Sequence, residues 1–92
     1  MAWTMTIRLF IKPGCPWCHE AIDWFVARGL EFQRLNVLQD EAHFAEMRRL
    51  TGQSKAPCVQ IDGKVLADFD TKQLEAWWSR EGLPAVSPRS RK

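Results

Sequence analysis

The sequence predicts an α/β domain: a four-stranded mixed sheet flanked by three helices, in the order β-α-β-α-β-β-α. Three observations predict it. Short apolar runs alternate with longer amphipathic ones, which is the mark of strands alternating with helices. Asp62-Gly63, between Cys58-Val59-Gln60-Ile61 and Lys64-Val65-Leu66-Ala67, is a strong two-residue hairpin signal. Each amphipathic run also ends at a glycine: Gly29, Gly52 or Gly82.

The elements follow in order. Residues 4 to 11 form the first strand, centred on Thr6-Ile7-Arg8-Leu9-Phe10-Ile11. The first helix runs from Pro16 to about Arg28. Pro16 suits its first turn, where the missing N–H costs nothing. Cys18, Ala21, Ile22, Phe25 and Val26 share one face, with Trp17 and Trp24 on a neighbouring one, where the same spacing predicts partial core burial for Trp24. Residues 31 to 37 form the second strand. Asp40 caps the second helix, whose apolar stripe is Phe44, Met47 and Leu50; Arg48 and Arg49 lie on its solvated side and His43 near its start. After the hairpin, Asp70 and Gln73 make a capping box, with Phe69 and Leu74 at the flanking staple positions. Leu74, Trp77 and Trp78 give the third helix its buried face. A right-handed crossover makes the first two strands parallel neighbours, and the hairpin adds an antiparallel pair.

Ninety-two residues make one small domain, expected over residues 1–82, with residues 83–92 as a flexible tail of Ser, Pro, Arg and Lys. The 46% hydrophobic fraction, with five tryptophans and five phenylalanines, is enough for a single core. A net charge of +2 gives no argument for nucleic acid or a membrane surface. No apolar run is long enough to span a bilayer, and Met1 to Phe10 has no basic region followed by an apolar core. The expected setting is a reducing cytoplasm, with the protein a monomer. There, two cysteines close in sequence are catalytic or metal-binding rather than a structural bridge. Three cysteines, an odd number, do not suit a disulfide scaffold.

The chemistry concentrates in Lys12-Pro13-Gly14-Cys15-Pro16-Trp17-Cys18. Two cysteines separated by two residues stand where a strand hands over to a helix. Cys15 falls at the helix N-terminus, beside unpaired N–H groups and the positive end of the helix dipole. Lys12 adds a cation. These conditions favour the nucleophilic thiolate.

This motif after a strand resembles the active site of the glutaredoxins, a thioredoxin-fold family, and the likeness spans roughly residues 4 to 81. It implies the glutaredoxin arrangement of the thioredoxin fold. It implies that Cys15 is the nucleophile and Cys18 the resolving thiol, acting on protein disulfides or glutathionylated proteins. Glutathione would be co-substrate, with no bound cofactor and no metal. Gly52-Gln53-Ser54-Lys55-Ala56-Pro57 looks like the family segment that ends in a cis proline, so Pro57 is expected to be cis and to pack against the active site. The likeness further places glutathione against Lys12 and Gln53 at its glycyl carboxylate, against the Ala56 backbone and Pro57 at its cysteinyl part, and against Asp70 and the N–H of Thr71 at its γ-glutamyl end, with Trp17 flanking the sulfur. A helix N-terminus is a ready anion site.

The sequence departs from the family pattern at four places. Trp17 replaces a tyrosine and Lys55 a threonine. Ala67-Asp68 stands where two glycines are common. Glycines let a ligand backbone approach closely; Ala67 and Asp68 would crowd it, and Asp68 adds a negative charge. Two questions therefore stay open: whether glutathione or a thioredoxin-reductase-type enzyme supplies electrons, and whether the chain instead binds and delivers an iron–sulfur cluster. Cys15-Pro16-Trp17-Cys18-His19 also fits the c-type haem attachment pattern, which needs export. A zinc site would need Cys58 and a histidine to join the pair.

Overall fold

The computed structural model describes residues 5–84. Its elements are β1 (Ile7–Ile11), α1 (Pro16–Ala27), β2 (Gln33–Asn36), α2 (Glu41–Thr51), β3 (Cys58–Ile61), β4 (Lys64–Ala67) and α3 (Thr71–Arg80). The expected element order and mixed sheet are therefore present. The strands lie in the order β2-β1-β3-β4. β1 runs parallel to β2, with Phe10 opposite Leu35, and antiparallel to β3, with Phe10 opposite Cys58. β3 and β4 form the hairpin, Ile61 opposite Lys64. Its turn has positive φ at both Asp62 (49°) and Gly63 (92°), the two-residue geometry that matches strand twist.

Alternation along the strands sorts the core into two layers. Ile7 and Leu9 of β1 and Val59 and Ile61 of β3 pack with Ala21, Trp24 and Phe25 of α1 and Leu74, Trp77 and Trp78 of α3. Phe10, Leu35 and Cys58 point the other way and pack with Met47 of α2, Val37, Ala56 and the two active-motif cysteines. Arg8 and Gln60 share this second face. Arg8 forks onto the Glu46 carboxylate of α2 at 2.7 and 2.6 Å and donates to the Gln60 side chain at 2.8 Å. That hydrogen bonding holds the Glu46 carboxyl below its ordinary range and the Arg8 guanidinium above its own.

The helix ends follow local chemistry. Asp40 caps α2 by accepting from the Ala42 N–H at 2.9 Å, and Gly52 ends it in the left-handed region. At α3 the capping box is complete: the Gln73 N–H donates to the Asp70 carboxylate at 2.8 Å, and the Asp70 N–H to the Gln73 side chain at 2.9 Å. Phe69 and Leu74, the staple residues, are both buried.

Three expectations are corrected. The first strand starts at Ile7 rather than residue 4: Ile7 pairs with Ile61, the last residue of β3, and the Thr6 N–H turns instead to the Asp62 carboxylate at 3.4 Å. Thr4 lies outside the described residues. The second strand is Gln33–Asn36, shorter than 31–37, because its register ends with Ile11 opposite Asn36. Flanking Phe32 still packs on Phe25, ring centroids 5.3 Å apart, and the Val37 N–H still reaches the Ile11 carbonyl at 2.9 Å. The buried face of α1 is rotated away from Val26, which is exposed, while Trp24, expected to be partly buried, lies fully in the core. α1 packs against α3 as well as the sheet, so its apolar stripe turns toward Trp78, 5.3 Å from Trp24. Arg28 stacks 3.9 Å over the Trp24 ring, and Trp24 Nε1 and Arg28 Nη2 each donate to the Glu75 carboxylate at 3.2 Å.

Beyond α3, Leu83 packs on the aromatic layer and the Pro84 carbonyl accepts from Trp78 Nε1 at 2.6 Å. The remainder of the expected tail, residues 85–92, lies outside the described residues. Among the described residues no helix is long and apolar enough to cross a membrane.

Candidate active site

The site forms where three loops meet at one end of the sheet. The β1–α1 loop brings Lys12 to Cys15. The α2–β3 loop brings Lys55, Ala56 and Pro57. The short β4–α3 segment brings Asp68 and Asp70. Gly14, at φ 75°, takes the left-handed conformation that turns the chain from strand to helix.

Cys15 is the N-cap of α1, and its Sγ accepts the Cys18 N–H at 3.3 Å. One of the orphan donors of the helix is thereby spent on the sulfur. Cys15 Sγ lies 4.0 Å from the Ala56 carbonyl. Cys18, one turn on, is the more buried of the pair, 2% exposed against 6%. Burial pushes its thiol up to about 12, hydrogen bonding to Cys15 adds in the same direction, and the Lys12 backbone opposes. Cys18 therefore stays a neutral thiol at physiological pH, while the helix end directs a donor at Cys15.

The Ala56–Pro57 bond is cis. The Asp68 N–H donates to the Pro57 carbonyl at 2.9 Å, which ties the end of β4 to this segment. Asp68 itself has φ 54°, the region a glycine adopts freely and aspartate tolerates better than most residues. That explains physically why glycine suits this position.

A cleft of about 500 Å³ opens over Cys15, walled by Lys12, Trp17, Lys55, Ala56 and Asp68. Trp17 is 57% exposed at its rim. A smaller cavity of about 170 Å³ lies at the start of α3, lined by Trp17, Asp68, Phe69, Asp70 and Gln73. A hollow of about 240 Å³ between Met5 and Gln33, about half the size of the cleft, carries no cysteine.

Most sequence-assigned residues converge here: Cys15, Lys12, Trp17 and Ala56 on the cleft, Pro57 beneath it, and Asp70 on the adjoining cavity, with Thr71 as the first residue of α3. Gln53 is placed differently. Its side-chain amide donates to the Lys55 carbonyl at 2.9 Å, the Cys58 sulfur at 3.2 Å and Thr51 Oγ1 at 3.3 Å, and accepts the Lys55 N–H at 2.6 Å. The Cys58 thiol donates to the same Lys55 carbonyl at 3.0 Å. Gln53 and Cys58 thus brace the loop that carries Lys55 and Ala56, a task no spacing in the sequence announced. Burial raises the Cys58 thiol above its ordinary range, so it stays protonated. Among the described residues, no three His, Cys, Asp or Glu side chains come together as a metal site.

A cysteine pair at a strand-to-helix junction, one sulfur on a helix cap and the other buried a turn away, facing a cis-proline loop in this sheet order, defines the thiol–disulfide oxidoreductase fold of the thioredoxin superfamily. Comparison with known proteins narrows the class. A sequence profile described as glutaredoxin matches residues 7–66. The chain is 30% identical over 77 residues to glutaredoxin 3 of Escherichia coli K12, spanning 84% of this chain and 90% of that protein. It is also 30% identical over 69 residues to a glutaredoxin-like 8.6 kDa protein of the rubredoxin operon in Clostridium pasteurianum, spanning 75% and 92%. The glutaredoxin-like protein NrdH-redoxin from Escherichia coli superposes with a TM-score of 0.66 at 22% identity, covering 87% of this chain and 97% of that one, a likeness of fold. The chain belongs to the glutaredoxin family.

Proposed function

We propose that this glutaredoxin-family chain is a glutathione-dependent oxidoreductase of the cytoplasm that reduces protein disulfides and glutathionylated proteins. The observation that carries the reading is the Cys15 sulfur, capped by the Cys18 N–H and open to the cleft beside Ala56. Cys15, as thiolate, attacks one sulfur of the substrate disulfide. A new S–S bond forms, the old one breaks, and the electron pair leaves on the departing protein sulfur, which takes a proton. If Cys15 now carries glutathione, a second glutathione thiolate attacks it, releasing glutathione disulfide and restoring Cys15. If Cys15 carries a protein, Cys18 gives up its proton and attacks Cys15. The substrate leaves with two electrons and the Cys15–Cys18 disulfide is left for two glutathiones to reduce.

In this reading the glycyl carboxylate meets Lys12, the cysteinyl backbone meets Ala56 as a short added strand, and the γ-glutamyl end meets Asp70 and the N-terminus of α3 at Thr71. The neutral, buried Cys18 supports its role as resolving thiol, since it does not compete for the first attack. The test is reduction of a glutathionylated peptide with glutathione as sole donor; turnover supports the reading, and none contradicts it.

A second reading is favoured by two observations. Gln53 is spent within its own loop, and Asp68 stands between the two parts of the cleft. Both weaken the grip on a tripeptide and favour electrons arriving from a reductase protein. Replacing Ala67 and Asp68 together with glycine should then lower the KM for glutathionylated substrate with little change in kcat. An unchanged KM means the tripeptide does not lie where the family likeness puts it.

A further inference from the structure

The cleft over Cys15 is electrically polar. Lys12 and Lys55 stand on its wall with Ala56, and Asp68 stands on the wall shared with the smaller cavity, which also holds Asp70. None of these four charges takes part in an ion pair among the described residues. Their placement is fixed through the backbone: Asp68 by its N–H to the Pro57 carbonyl, and Lys55 by the hydrogen bonds of Gln53 and Cys58 to its peptide group.

The two cavities share Trp17 and Asp68, which form the waist between them. A small ligand filling both must carry its far end past a carboxylate and an indole. An extended polypeptide has no such need. It crosses the mouth, pairs with the Ala56 backbone, rests on exposed Trp17, and offers one side chain to each charged wall.

We propose that Lys55 and Asp68 are specificity-determining residues, selecting polypeptide disulfides whose reacting cysteine has an acidic side chain on one flank and a basic one on the other. The inference rests on the thiol chemistry proposed above and names its substrate class. The acidic side chain meets Lys55 and Lys12; the basic one meets Asp68. Solvent-exposed pairs of this kind are worth about a two- to fivefold effect each, and they weaken as salt screens them.

The test uses short peptides whose single cysteine is held as a mixed disulfide with thionitrobenzoate. Attack by Cys15 on the peptide sulfur forms the Cys15–peptide disulfide and expels the coloured thiolate, so glutathione is not needed. One peptide flanks its cysteine with Arg and Glu, a second reverses them, and a third has Ser on both sides. The expected result is that the reduced wild-type protein reacts about tenfold faster with one bipolar order than with the Ser peptide at low salt, the ratio falling at high salt. Lys55→Gln and Asp68→Asn should each lower that ratio by about two- to fivefold. Asparagine tolerates the positive φ at position 68, so this variant keeps the fold. Exchange of the two charges, Lys55→Asp with Asp68→Lys, should move the preference toward the reversed peptide. Equal rates on all three peptides, or a preference that survives both neutralised variants, would overturn the inference. If the wild type releases no colour from any peptide, the thiol assignment itself fails instead.

Discussion

The two faces of the sheet are built from different materials. On the α1/α3 face the core is aromatic: Trp24 meets Phe25 edge-on at 5.1 Å and Trp78 at 5.3 Å, and Phe25 lies 6.2 Å from Trp78. On the α2 face it mixes sulfur with aliphatic groups, Cys15, Cys18, Cys58 and Met47 beside Ala56, Leu35 and Val37, with one aromatic, Phe10, fully buried. The comparison teaches a division of labour. Large rings bury the most area and hold the helices on the sheet. The sulfur layer supplies less adhesion, but it places three thiols in a dry environment in which two stay protonated, Cys18 and Cys58, and Cys15 alone opens to solvent through the cleft.

The comparison is broken or sharpened by substitutions on either side. The largest expected effect is on activity alone. Cys15→Ser should abolish turnover of every disulfide substrate while leaving the denaturation midpoint close to that of the wild type, because serine is itself a good N-cap. A variant that loses stability along with activity would mean that the sulfur layer holds the fold. On the aromatic side the effects should reverse. Trp78→Ala should cost about 3–5 kcal/mol by urea denaturation, a large share of the roughly 5–15 kcal/mol available to a small domain. The milder Trp78→Phe, still folded, should keep kcat; a large fall in kcat would show that the aromatic layer tunes the chemistry.

Asp70 belongs to both accounts. Asp70→Ala removes a cap worth about 1 kcal/mol. If the γ-glutamyl end binds there, KM for glutathionylated substrate also rises; a stability loss with unchanged kinetics makes Asp70 a cap alone.

The smallest effect is a slope with pH. Folded Cys18 keeps its proton to about 12, whereas the unfolded chain releases it in the ordinary thiol range. Between those limits the unfolded state binds fewer protons, so Cys18 makes stability fall as pH rises. Urea midpoints between pH 8 and about 10 should therefore decline more steeply for the wild type than for Cys18→Ala. Parallel declines would show that Cys18 is not held neutral by burial.

Much of this was legible because it is written in short-range chemistry. The Asp62-Gly63 turn, the Asp70/Gln73 box and the Gly52 stop act within a few residues, and each appears where local rules put it. The active motif was legible for the same reason, as a strand, two cysteines and a helix start. What was not legible depends on packing between distant elements. Helical spacing placed Val26 in the core and gave Trp24 partial burial, but only the docking of α3 explains why Trp24 is covered and Val26 is left exposed. Neither the Arg8–Glu46–Gln60 cluster nor the Gln53–Cys58 brace has a sequence signature, because each joins side chains whose meeting depends on tertiary register. The conformation of Asp68 was half legible: the family pattern has glycine there, and the structure supplies the positive φ that glycine serves.

The central claim is that Cys15, and not Cys58, makes the first attack. It is tested most directly by exposing Cys18→Ser to a glutathionylated peptide and mapping the adduct by peptide mass spectrometry. The account predicts one glutathione, on Cys15, removed by free glutathione. An adduct on Cys58, or no adduct at all, would contradict it.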